Sequence, residues 1–260
     1  MSVKALASIP PLVLASCAAN PPSSARSPVV VLPEIPADAE PEKAAPEPGA
    51  CSPEPRQARR IREVRAVPVT PDDPLLGKFT LKDALAGLHG RWPLLARIET
   101  SSGTLTCTLW EDVAPITVAN FVGLARGLRP FRLSSGGTWS ARPAYDGVTF
   151  HRVIPDFVIQ GGDPTGTGAG EPGYVIPDEI DESIHPDRLG LLYMANRGPD
   201  TNGMQFFILA GTPQHIDGKS TACGECGPEA LIQRIAGTLD NATPRVQITR
   251  VSVALSQPCR

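Results

Sequence analysis

Arg152 stands in the run from Tyr145 to Asp163, between two aromatics, with the amide of Gln160 eight residues on and a Gly-Gly turn behind it. A second run, from Met194 to Ile208, supplies Ala195, Asn196, Gln205 and Phe207, and His215-Ile216-Asp217-Gly218-Lys219 follows. A guanidinium is a permanent, multi-donor cation. Set among aromatics and amides, it suits charge-assisted hydrogen bonding rather than nucleophilic attack or proton shuttling. Rival chemistries have weaker footing. Gly218-Lys219-Ser220 ends like a phosphate-binding loop, but Pro213 occupies the place of the glycine required five residues earlier. The glycines at 166, 168 and 170 lack dinucleotide-binding spacing. Cys223 and Cys226 form a lone C-x-x-C without a second ligand pair, and His89 and His185 have no partners at metal-ligand spacing. No metal or cofactor is expected. His151 has no chemical step to serve and reads as structural.

A β-rich domain must position these groups. Residues 95–100 read as strand, 101–103 as a turn, and Thr104 to Leu109 alternates strictly, which puts Leu105, Cys107 and Leu109 on the buried face of a hairpin. Pro115 opens a helix whose apolar stripe is Val118, Phe121, Val122 and Ala125, and Gly127 stops it. A second helix is predicted from Pro228 to Ala236, and Val246 to Leu255 reads as the last strand. Upstream, Thr80 and Asp83 have capping-box spacing ahead of a face made by Leu81, Leu85 and Leu88. Residues 75–93 therefore read as a short helical lead-in to a folded domain at 94–257. About half of the 29 prolines fall in the first 74 residues, among Ala, Glu and Ser. Such a stretch buries too little apolar surface to offset chain entropy, so 18–74 reads as disordered linker. With a net charge of −3 and no basic stripe, nothing points to nucleic acid. No apolar run reaches the length that spans a bilayer.

The runs Phe150-His151-Arg152, Gln160-Gly161-Gly162-Asp163, Met194-Ala195-Asn196 and Asp217-Gly218-Lys219, with the helix opening at Pro115, together resemble the cyclophilins. This family comprises peptidyl-prolyl cis/trans isomerases, and the resemblance covers about residues 94 to 256. It implies a mainly β fold, a closed eight-stranded antiparallel β-barrel with an α-helix over each end. It also implies a task for Arg152. Rotation about an X–Pro bond faces a barrier of about 20 kcal/mol because the nitrogen lone pair is delocalised into the carbonyl. A donor aimed at that nitrogen in the twisted state lowers the barrier without any covalent step. Carried over by motif position, the proline pocket is Phe157, Val158, Phe207 and Ile216, with Gln160 and Gln205 as hydrogen-bonding neighbours. Ala195 and Asn196 would meet the peptide backbone. His215 stands at the rim where the best-known relatives have Trp. Arg197 falls where relatives gate a side pocket, so a positive potential favouring acidic peptides is expected there, with a solvated surface arginine pointing away from the groove as the alternative. Partners would be proline-containing polypeptides, bound by a monomer. The relatives' topology could bring Cys226 near Cys107, which makes Cys107–Cys226 the preferred bridge, with an ordinary buried thiol at Cys107 as the alternative.

The N-terminus carries a separate reading. Lys4 precedes a short apolar segment ending in Leu14-Ala15-Ser16-Cys17, and Pro-rich sequence follows at once. This resembles a bacterial lipoprotein signal at 1–17 whose cysteine is lipidated, with a simple secretory signal or an unprocessed cytoplasmic tail as the alternatives. The only membrane contact would then be a lipid anchor at Cys17, in the cell envelope, facing the periplasm and with the outer membrane favoured. The function expected is X–Pro isomerisation during folding of envelope or secreted proteins. Two alternatives stand beside it: a proline-peptide-binding chaperone module with little turnover, and a thiol oxidoreductase built on Cys223 and Cys226.

Overall fold

The alternation in the sequence becomes eight strands. The protein is described by a computed structural model over residues 66–134, 136–238 and 243–257. In chain order the elements are α1 (Leu81–Ala84), β1 (Arg91–Thr100), β2 (Gly103–Leu109), α2 (Pro115–Arg126), β3 (Arg152–Ile154), β4 (Val158–Gly161), β5 (Leu191–Met194), β6 (Phe206–Leu209), β7 (Ala222–Gly227), α3 (Glu229–Ala236) and β8 (Ile248–Gln257). Every ladder is antiparallel, in the order β3-β4-β6-β5-β7-β2-β1-β8. The strands curl into a half-barrel, which corrects the expected full closure, because β3 and β8 share no ladder. β3 is only three residues long and ends in a turn at Asp156, whose φ is 56°. The chain just ahead of each edge strand bridges the gap instead. Thr149 and Gln247 pair, Phe150 N donates to Val246 O at 3.0 Å, and Ile248 N donates to Val148 O at 2.6 Å.

Leu105, Cys107 and Leu109 are buried as their alternation requires. Pro115 sits at the first turn of α2, where its missing N–H removes no helical bond, and Gly127 ends the helix in the left-handed conformation at φ 72°. Phe121 on α2 meets Tyr145 at 5.2 Å and the edge of Phe206 at 5.5 Å, and all three rings are fully buried. Each stabilises the fold by roughly 2–3 kcal/mol through apolar burial.

The expected stripe on α2 understates its burial, since every residue from Thr117 to Ala125 is covered. The second cover is the lead-in. Thr80 and Asp83 form the capping box, α1 is a single turn, and Leu81, Leu85 and Leu88 pack on the core. The linker expected up to residue 74 ends earlier than that, because Asp73 is 2% exposed and ion-paired with Arg129. Strand β1 also begins at Arg91, inside the stretch assigned to the lead-in. Cys107 and Cys226, directly opposed on β2 and β7, form a disulfide, and Cys223 is a buried free thiol. The signal-like segment, most of the linker, Cys17, Cys51 and Cys259 lie outside the described residues.

Phe79 lies so close to the backbone of α2 at Gly123 that a Cβ there would fall 2.3 Å from its ring and 2.9 Å from Arg129 Cβ. Gly123→Ala should therefore lower stability by about 1–3 kcal/mol through overpacking, despite alanine's better helix propensity. Urea unfolding at constant m-value checks this, and an unchanged or raised midpoint would contradict the packing.

Candidate functional site

Strand register assembles the site. Arg152 on β3 is opposed to Gln160 on β4, Gln160 to Phe207 on β6, and Phe207 to Tyr193 on β5. Directly opposed residues of antiparallel strands point to the same face, so these four side chains form one transverse row. Two residues along each strand on the same face come Val158, Leu209 and Leu191. The intervening residues Ile159, Ile208 and Leu192 belong to the main core. The sheet is thus buried on both faces in this sector, and the row lies on the face turned away from the main core.

A satellite apolar cluster covers that face. It comprises Val158, Leu191, Tyr193, Phe207, Leu209 and Ala222, with Phe157, Ala195 and Ile216 packed against it. The structure therefore brings Phe157, Val158, Ala195, Phe207 and Ile216 together. Phe207 stacks on Tyr193 at 5.4 Å with the rings 7° from parallel. Burial and the nearby Asp217 and Asp187 carboxylates push the Tyr193 phenol up to about 12, so it stays neutral. His215, in a 3-10 turn at Gln214–Ile216, lies 5.1 Å from the Phe157 ring. Phe157 also faces the Arg152 guanidinium at 5.2 Å. His215 and Arg152 therefore share one aromatic neighbour.

A directed chain of amides holds Arg152. Gln205 donates both amide hydrogens to carbonyls, to Gly168 O at 3.0 Å and Gly170 O at 2.8 Å. Its Oε1 is thereby left to accept from Gln160 Nε2 at 3.0 Å, and Gln160 Oε1 accepts from Arg152 at 3.3 Å. The last contact is long, and Arg152 remains exposed, so its other donors are available. At the far end of the chain is Asp163, which is fully buried. It accepts from the backbone N–H groups of Thr165 (2.8 Å), Thr167 (3.2 Å), Gly168 (2.7 Å) and Gly170 (3.1 Å), and from the Thr165 hydroxyl. A Cβ on Gly170 would fall 1.9 Å from Asp163 Oδ1, so this loop needs its glycine. His151 lies beneath Gly168, whose Cβ position is 3.4 Å from the imidazole.

Beside the row is a side pocket of about 190 Å³, lined in part by Gln160, Ala195, Asn196, Arg197, Gly203 and Gln205. Asn196 donates to Lys219 O at 2.8 Å, which fixes it at the pocket wall. Arg197 lines this pocket as expected, but its charge is not free. It is ion-paired with Glu171, another wall residue, and donates to Gly168 O at 3.1 Å. The unopposed positive potential expected there is thereby corrected to a neutral pair. A larger cleft of about 410 Å³ beside Trp110 and His185 contains neither Arg152 nor Gln160. Sequence reasoning missed Tyr193, Asp163 and Glu171. The signals were an aromatic at the alternate position before Met194, and a carboxylate leading a glycine-rich loop.

Burial pushes the Asp163 carboxyl up, but the Thr165, Gly170 and Gly168 donors outweigh it and hold it below its ordinary value of 3.8. A carboxylate depressed in this way stabilises the fold above its unfolded pKa, and the contribution is lost as pH falls through the folded value. Asp163→Asn should lower stability by about 1–3 kcal/mol at neutral pH, because the amide presents donors to donors. Between pH 6 and pH 3 its melting temperature should fall less than that of wild type, and parallel curves in a thermal scan would refute the role.

Comparison with known proteins agrees with this geometry. Residues 95–253 match the family described as cyclophilin type peptidyl-prolyl cis-trans isomerase/CLD. Peptidyl-prolyl cis-trans isomerase A of Mycobacterium tuberculosis is 48% identical over 153 residues, covering 58% of this chain and 84% of that protein. Peptidyl-prolyl cis-trans isomerase B of Streptomyces anulatus is 43% identical over 151 residues, covering 57% and 86%. The crystal structure of a cyclophilin-type isomerase of Cryptosporidium parvum superposes with a TM-score of 0.52 at 30% identity, covering 64% of this chain and all of that one. The same protein in the presence of the dipeptide Ala-Pro gives 0.50 at 31% identity, covering 61% and 98%. The chain belongs to the cyclophilin family of peptidyl-prolyl cis/trans isomerases.

Proposed function

We propose that isomerisation takes place over the Arg152–Gln160–Phe207 row, on proline-containing segments of secreted or envelope proteins as they fold. The observation that carries this reading is the register that sets one guanidinium beside one apolar pocket. The Ala-Pro dipeptide used with the Cryptosporidium parvum relative supports a proline ligand. Seated against Phe157, Val158, Phe207 and Ile216, the proline ring is held while the preceding carbonyl swings. As the C–N bond twists, the nitrogen pyramidalises and its lone pair becomes an acceptor. Arg152, held from behind by Gln160, donates to it, and the covering peptide supplies the dry setting that the exposed guanidinium lacks in the free protein. Ala195 and Asn196 would align the peptide backbone along the side pocket, and His215 would close the rim.

The binding-module alternative keeps the pocket but gives Arg152 nothing to do. The oxidoreductase alternative fares worse. Cys226 is bonded to Cys107, and burial pushes the Cys223 thiol far up, away from the reactive thiolate such chemistry requires. For location, the reading rests on the residues up to Cys17, with the protein working as a monomer tethered by a lipid. A Cys17→Ser variant that still fractionates with membranes would overturn the anchor.

Arg152→Ala should lower kcat by about two to three decades while leaving fold and peptide affinity nearly unchanged, since the lost bond belongs to the twisted state. Phe207→Ala should weaken peptide binding as well, because the ring is used in both states. Proline-isomerisation kinetics beside peptide titration separate the two, and full turnover by a folded Arg152→Ala protein would sink the mechanism.

With Arg197 neutralised by Glu171, wild type should discriminate little between acidic and neutral peptides. Glu171→Gln should release the cation and favour acidic peptides by about two- to fivefold, less at high salt. Equal rankings in wild type and variant would show that the pair does not face the substrate.

A further inference from the structure

The residues ahead of the family match at 95–253 are bound to the protein by more than apolar cover. Asp73 accepts from the backbone of Leu75 and Gly77, each at 3.0 Å, and takes two bonds from Arg129, at 2.8 and 2.6 Å. Both ions are 2% exposed, so neither has solvent as an alternative partner. The Arg129 guanidinium lies 3.8 Å from the Tyr174 ring centroid. Tyr174 donates its hydroxyl to Asn120 Oδ1 at 2.7 Å, and Asn120 Nδ2 donates to Gly203 O at 2.7 Å. Gly203 lines the side pocket, two residues before Gln205.

We propose that this lead-in is a positioning element of the isomerase site, with Asp73 acting through Arg129, Tyr174 and Asn120 on the Gly203 carbonyl. The inference rests on the reading of the row and side pocket as the peptide site. Three observations make the relay directional. Asp73, Arg129, Tyr174 and Asn120 are all at most 5% exposed, where hydrogen bonds are not exchanged with water. Asn120 has its carbonyl oxygen on Tyr174 and its amide on Gly203, so losing the tyrosine hydroxyl frees the amide to turn. Gly203 is pressed from the other side, since a Cβ there would lie 2.9 Å from Pro172 Cδ and 3.0 Å from Glu171 Oε2. The segment carrying Gly203, Met204 and Gln205 is thus set between the relay and the Glu171 wall. A second tie, Arg126 donating to Ala84 O at 2.5 Å and Ala86 O at 2.9 Å, holds the same lead-in without touching the relay.

That independence supplies the test, run on the full chain with proline peptides. Tyr174→Phe removes one hydroxyl and leaves the lead-in bound, and Asp73→Asn weakens the first link. Both should raise KM by about three- to tenfold with kcat within about twofold, the signature of lost binding rather than lost transition-state stabilisation. Both should also shift the backbone amide resonances of Met204 and Gln205. Arg126→Gln should lower the melting temperature while leaving KM and those resonances in place. Unchanged KM and resonances in a folded Tyr174→Phe protein would overturn the proposal, as would an Arg126→Gln variant that raised KM equally. If wild type bound peptides without turnover, the isomerase reading would fall, and peptide affinity together with the resonances would still decide the relay.

Discussion

Register between four strands is the constraint on which the molecule depends. Arg152 and Gln160 come from strands joined by a tight turn, Phe207 and Tyr193 from strands reached by longer connections, and all four meet because each ladder places them opposite one another. Because side chains alternate along a strand, a slip of one residue in any of these ladders would send its member of the row into the core. Two-sided burial of β4, β5 and β6 removes that freedom, since each slip would also exchange the residues packed in the main core with those packed in the outer cluster.

The geometry of Arg152 is the sum of small orientations rather than one strong contact. Its bond to Gln160 is long and exposed, and becomes specific because every amide behind it has a fixed sense. That sense originates in the Asp163 carboxylate, which gathers loop N–H groups and so turns the Gly168 and Gly170 carbonyls toward Gln205. A buried charge thus sets the direction of a neutral network that ends at a solvent-exposed cation. The lead-in adds a parallel support on the side-pocket wall, again beginning at a buried carboxylate.

The residues gathered at the candidate site were legible in the sequence because their types and order are unusual together: Arg152 with Gln160, then Asn196, Gln205 and Phe207. Alternation at Leu105, Cys107 and Leu109 and the helix punctuation at Pro115 and Gly127 were legible because they are local. What escaped was non-local. Tyr193 matters through its opposition to Phe207, which only the ladder reveals. Glu171 looks like one more loop acid until it is found on Arg197. Asp73 sits in proline-rich polar sequence that reads as linker, and its partner Arg129 lies 56 residues away. Pro93 disguised the first residues of β1 as loop, since proline inside a strand argues against one. The gap between β3 and β8 depends on how short β3 is, a matter of a few residues at a boundary, where sequence patterns are weakest.

The bond between Cys107 and Cys226 closes a covalent ring across 119 residues of sequence. Arg152, Gln160, Asp163, Tyr193, Gln205, Phe207 and Ile216 all lie inside it. In the unfolded, oxidised chain the whole candidate site is therefore confined to one loop, whose closure entropy has already been removed from the folding search. A single proteolytic cut anywhere between the two cysteines would open the ring without releasing a fragment. The nicked halves would still be held to the β2–β7 seam, so the row has a covalent route back to its register.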